Sequence, residues 1–87
     1  MEQLISAILE IAKANPTGFT VDLTTLKKVT RGISVAYLET QDSFGEEGLE
    51  RVLNHAFMHE KKVGGWLNEE NEQFYFDSCL LYTSDAA

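Results

Sequence analysis

The hydrophobic period of the chain changes at Asn15-Pro16, and that change limits the folds open to it. Before the break, EQLISAILEIAKA (residues 2–14) sets Leu4, Ile5, Ile8, Leu9, Ile11 and Ala12 on one broad helical stripe. Glu2 lies at the positive end of the helix dipole and Lys13 at the negative end. A residue before proline avoids the right-handed helical region, so the helix stops at Asn15, and Gly18 allows a turn. After the break, FTVDL alternates Phe19, Val21 and Leu23 with Thr20 and Asp22, the pattern of a half-buried strand. A helix stripe followed at once by strand alternation predicts a sheet with helices laid on it, and argues against a helical bundle or an all-strand sandwich.

The remaining segments extend this reading. TTLKKVTRG is a connection closed by Gly32, and ISVAYL is a second strand with Ile33, Val35 and Tyr37 on one face. Their short separation predicts that FTVDL and ISVAYL pair antiparallel. Ser43-Phe44-Gly45-Glu46 reads as a capping box, in which the Ser43 hydroxyl accepts from a helix amide and Glu46 reaches back. The helix it opens, about residues 44–60, turns Leu49, Val52, Leu53, Ala56 and Phe57 inward. Gly48 inside it costs up to ~1 kcal/mol against alanine, which close packing against the sheet would explain. KVGGWLN and QFYFDS form a third and fourth strand, joined at NEENE. The predicted order is α-β-β-α-β-β: an α+β domain with a mostly antiparallel sheet and helices packed on one face.

Composition narrows the function classes. Eighty-seven residues make one domain, and a chain of that size buries only about 60% of its unfolded surface, so self-association would help it. A hydrophobic content of 44% with five Phe argues for a folded chain. The formal charge is −7, from 14 acidic against 7 basic residues, which argues against general nucleic-acid binding. Lys27, Lys28, Arg31 and the pair Lys61-Lys62 are the local exceptions. No signal peptide and no membrane-length apolar run is present, so a cytoplasmic location is expected. His55 and His59 share a helical face, but no HExxH pattern accompanies them, and neither a metal site nor a cofactor is expected. No nucleophile elbow or phosphate-binding glycine motif is present, so no catalytic residue is assigned and an enzyme is not expected.

Three stretches suit a ligand. Gly64-Gly65-Trp66 offers close backbone approach and an indole to stack on, or else a β-bulge beside a core tryptophan. Thr40, Gln41 and Ser43 precede a helix N-terminus, where free amides suit an anion, or simply cap that helix. Glu69-Glu70-Asn71-Glu72 is a solvated hairpin tip, or an acidic face for a basic partner.

Two resemblances complete the reading. CLLYTSDAA (residues 79–87) is the translation of a string that resembles the transposase adapter used in DNA library preparation. That resemblance implies one domain over residues 1–78, continuing in its natural form, and a non-native tail over 79–87 in which Cys79 carries no biological role. The second lies in Asn15-Pro16-x-Gly18-Phe19-Thr20-Val21, Gly32, Val35-Ala36, Thr40-Gln41, Phe44-Gly45, Val63-Gly64-Gly65-Trp66 and Tyr75-Phe76-Asp77. This pattern resembles small, largely uncharacterised proteins and accessory domains of bacteriophages and conjugative elements, which continue into a further helix and strand. It implies a non-enzymatic binding protein acting in counter-defence inside the bacterial host. On that reading a homo-oligomer sequesters a nucleotide-type immune signal: Trp66 and Tyr37 stack on a base, while Arg31, the Gly64 and Gly65 amides and the amides near Gln41 hold phosphate. The alternatives are an acidic inhibitor docking on the basic groove of a host defence nuclease, or a structural accessory domain.

Overall fold

A computed structural model describes residues 1–82. Helix α1 spans Glu2–Ala14 and buries Ile5, Ile8 and Ala12, with Leu4, Leu9 and Ile11 packed partly against the same core. It ends where the proline requires. The Asn15 side chain donates to the Ile11 carbonyl at 2.8 Å and accepts from Lys28 Nζ at 2.9 Å, so the last turn is closed by a side chain. Gly18, at φ 133°, then turns the chain into strand β1, Phe19–Asp22.

Strand β1 folds back on strand β2, Lys27–Lys28, in a tight hairpin. Asp22 Oδ1 accepts the Thr24 amide at 2.8 Å, and Leu26 takes φ 58° to complete the turn. Strand β3, Ile33–Ala36, runs into a single 3-10 turn at Leu38–Thr40, and the two-residue strand β4, Ser43–Phe44, leads into helix α2, Gly45–Phe57. Strands β5, Lys62–Asn68, and β6, Gln73–Tyr82, form the long central hairpin.

The sheet has six strands in the order β2-β1-β5-β6-β3, with β4 also paired to β6, and every pairing is antiparallel. The predicted class holds: this is an α+β domain whose helices pack on a mostly antiparallel sheet. The predicted pairing of FTVDL with ISVAYL does not hold. β1 sits between β2 and β5, and β3 lies at the far edge against the end of β6. Lys27 and Lys28 supply the nearer partner, so the connection itself takes the place reserved for ISVAYL.

The core follows from register. Val21 lies opposite Val63 and Gly65 opposite Phe76, so Val21, Val63 and Phe76 share one face. They meet Ile5, Ile8 and Ala12 of α1 and Leu49, Val52, Leu53 and Ala56 of α2 in one cluster. Phe57, predicted to turn inward, is exposed instead because α2 ends there. The residues between, Thr20, Gly64, Trp66, Tyr75 and Asp77, point to the other face, which no helix covers. Residues 79–82 continue β6 and carry the whole ladder with β3, as an extension of the last strand would. Thr83 and the rest of the expected tail lie outside the described residues.

Candidate functional site

On the helix-free face, period-two alternation brings Tyr75 and Asp77 of β6 to the same side, and register sets Trp66 of β5 directly opposite Tyr75. The Trp66 and Tyr75 rings stack at 5.5 Å between centroids and 23° between planes. Phe44 backs Tyr75 at 5.5 Å, and Asn71 Nδ2 donates to the Tyr75 hydroxyl at 2.9 Å, so the tyrosine is held on both sides. Gly64 stands opposite Asp77 and adds no side chain there. The turn after the 3-10 segment then brings Gln41 and Asp42 over the strand, Asp42 in the left-handed region at φ 64°.

Ala36, Gln41, Asp42, Trp66, Tyr75 and Asp77 line a recess of about 200 Å³. Its two charged walls are Asp42 and Asp77. Among the described residues neither carboxylate has an ion-pair or hydrogen-bond partner. Burial pushes the Asp77 carboxyl above its ordinary value, and the Asp42 charge pushes in the same direction. Trp66 remains 44% exposed at the rim. A recess with two aromatic faces, two free carboxylates and no cation attracts positive charge and repels phosphate.

Of the six residues expected to bind a ligand, Gln41 and Trp66 line this recess. The other four do not join them. Tyr37 packs on the helix side of the sheet, its ring 4.9 Å from both His55 and His59. Arg31 is exposed in the bend before β3 and does not line the recess. Gly64 and Gly65 are buried in the middle of β5, with β1 on one side and β6 on the other, so their backbone cannot receive a phosphate. The register runs through them without a bulge. Their absence of side chains serves packing: a Cβ on Gly65 would stand 2.7 Å from Phe19 Cε1 and 2.9 Å from Phe76 Cδ1.

The anion site expected before α2 is also occupied by other work. The Ser43 hydroxyl donates to the Thr40 carbonyl at 2.7 Å and accepts from the Arg51 guanidinium, while Thr40 Oγ1 accepts the Ser78 amide at 3.0 Å. Ser43 is therefore not the helix cap. Phe44 holds that position without a side-chain bond, and Glu46 and Glu47 make the first turn acidic. Gly48 is explained by contact: a Cβ there would lie 2.8 Å from the Ser43 backbone carbon.

Sequence reasoning missed one polar string. His55 Nδ1 meets Ser78 Oγ at 2.8 Å, and His55 Nε2 meets Glu39 Oε2 at 3.2 Å. Ser78 is fully buried, so no substrate reaches its hydroxyl, and the string ties α2 to β6 and the 3-10 turn. His59 stacks on His55 at 3.8 Å. Among the described residues no three His, Cys, Asp or Glu side chains gather as metal ligands, and no helix is long and apolar enough to cross a membrane. Along β6, Phe74 packs partly buried against the core and Phe76 is fully buried.

No protein-family profile matches the chain, and neither curated proteins nor solved structures give a match. The resemblance to mobile-element proteins therefore rests on the residues that carry it.

Proposed function

We propose that this chain is a non-enzymatic binding module that presents the helix-free face of its sheet to a basic protein partner. The observation that carries this reading is the recess between Trp66, Tyr75, Asp42 and Asp77, where two carboxylates lack cations beside two stacked rings. The net charge of −7 extends the same preference over the molecule and favours fast encounter with a positive surface. The resemblance of the sequence pattern to bacteriophage and conjugative-element proteins makes a host defence nuclease with a basic nucleic-acid groove the first partner to try. Sequestration of a nucleotide has less support, because Arg31, Tyr37, Gly64 and Gly65 do not converge with Trp66 and an anion at Trp66 would face Asp77 and Asp42.

The test pairs two measurements. DNA cleavage by a panel of purified defence nucleases is followed with and without the protein, and cyclic di- and trinucleotides are titrated by calorimetry. The expected result is inhibition relieved by excess DNA and weakened by salt, with no nucleotide heat. Converting Asp42 and Asp77 together to Lys abolishes inhibition, mainly through slower association. Nucleotide binding without inhibition, or inhibition untouched by the double change, overturns the reading.

A further inference from the structure

The chemistry of the recess specifies more than positive charge. The side chains offered to a ligand are two aromatic faces, the Gln41 amide and two carboxylates borne on different elements, Asp77 on β6 and Asp42 on the turn before β4. A hard divalent cation is poorly served, since calcium and magnesium take six or more oxygens and two side-chain carboxylates and one amide oxygen stand here. An ammonium is a compact, strongly hydrated point charge that gains little from a flat ring surface. A guanidinium is planar and weakly hydrated, stacks on aromatic faces, and spreads five donors in a fork able to reach two acceptors at once. The recess meets these requirements with the exposed Trp66 face, the Tyr75 ring stacked beside it, and two carboxylates without partners among the described residues.

We propose that the recess is an arginine-reading site: an arginine side chain of the basic partner lies against Trp66 and donates to Asp77 and Asp42. This rests on the basic-partner reading and sharpens it. It separates a partner rich in arginine from one rich in lysine, which net charge alone does not do.

Trp66 is the only tryptophan of the chain, so its emission reports on the site directly. The intact protein is titrated with a short arginine-rich peptide and with the same peptide carrying lysine at every arginine position. Fluorescence and backbone amide shifts are read in parallel. The arginine peptide is expected to shift Trp66 emission and to bind about tenfold more tightly than the lysine peptide, the equivalent of one charge-assisted hydrogen bond. Asp77→Asn and Asp42→Asn are each expected to weaken the arginine peptide by about tenfold. Asparagine tolerates the left-handed backbone of position 42, so that variant keeps the turn. Replacing Glu69, Glu70 and Glu72 with Gln is expected to change binding less than either single variant.

Equal binding of the two peptides overturns the arginine assignment and leaves the basic-partner reading standing. A larger loss in the hairpin variant, or binding with no change at Trp66, overturns the assignment by placing the contact elsewhere. Loss of nuclease inhibition with the arginine preference intact overturns only the choice of nuclease as partner.

Discussion

Gly65→Ala tests whether the Gly-Gly-Trp stretch exists for packing. Two effects oppose each other. Alanine restricts the unfolded chain more than glycine, which by itself stabilises a compatible site by about 0.4–1 kcal/mol. The new Cβ, however, would stand 2.7 and 2.8 Å from Phe19 Cε1 and Cζ, and 2.9 Å from Phe76 Cδ1. Phe76 has no exposed surface and is held between both helices and the sheet, so it cannot yield. Phe19 is only partly buried and must move instead. Overpacking of this kind costs about 1–3 kcal/mol, so the net expectation is a loss of about 1 kcal/mol, or roughly 4–8 °C in melting midpoint for a domain of this size. The assay is urea unfolding followed by far-ultraviolet dichroism, on Gly65→Ala, Phe19→Leu and the double variant. Leucine at position 19 lacks the ring atoms that the new methyl meets. The double variant should therefore be more stable than the sum of the single effects by at least about 1 kcal/mol, well beyond the roughly 0.5 kcal/mol of ordinary non-additivity. A stabilised Gly65→Ala, or strict additivity, refutes the packing argument.

Two further predictions follow from the carboxylates. The Thr24 amide holds the Asp22 carboxyl below its ordinary value, burial opposes it, and Lys62 at 3.5 Å adds to the lowering. A lowered folded value contributes stability that is present above the unfolded pKa and lost as pH falls through the folded one. Asp22→Asn should thus cost about 1 kcal/mol at pH 7 and nothing once the medium is acidic enough to protonate the folded carboxyl, which melting curves across pH will show. Asp77 carries the opposite sign: burial and Asp42 raise its folded pKa, so its contribution is complete below the unfolded value and is lost as pH rises through the folded one. Asp77→Asn should raise the melting midpoint by a few degrees at pH 7, with the gain vanishing in acid. A lowered midpoint at pH 7 would show that Asp77 is satisfied by the fold and is not waiting for a ligand.

The sequence was most readable where the signal is local. The stripe of Ile5, Ile8 and Ala12 and the break at Asn15-Pro16 set α1, and Leu49, Val52, Leu53 and Ala56 set α2, because a helix is a short-range pattern. Strand partners are long-range, so the alternation in ISVAYL gave a strand without naming its neighbour, and two lysines at positions 27 and 28 gave no sign of a strand at all. The capping box at Ser43 failed because Arg51 and Thr40 compete for the same hydroxyl from outside the local motif. Trp66 and Gln41, singled out in the sequence, do line one recess, but beside two carboxylates that the sequence reading did not place there. Asp42 and Asp77 are thirty-five positions apart, and only the fold brings the loop over the strand. One cue was nevertheless present. In QFYFDS, Asp77 falls on the Tyr75 side of the alternation, so a charge was already assigned to the same face as an aromatic ring.

The ladder between β3 and β6 makes the sheet a structure of two tiers. Ile33, Ser34, Val35 and Ala36 find their partners only in Tyr82, Leu81, Leu80 and Cys79, and no residue of β3 belongs to the core cluster. Whatever pulls these four residues away unzips β3 while α1, α2, β1, the first half of β6 and all of β5 but its Lys62–Cys79 pair keep their contacts. Amide exchange should then sort the molecule into a slow body and a fast flap, with residues 33–36 and 79–82 opening together. The flap carries Ala36, one wall of the recess. A partner that grips the recess would hold this edge of the sheet shut, and a lost edge would leave the Trp66 and Tyr75 platform in place beneath a wider mouth.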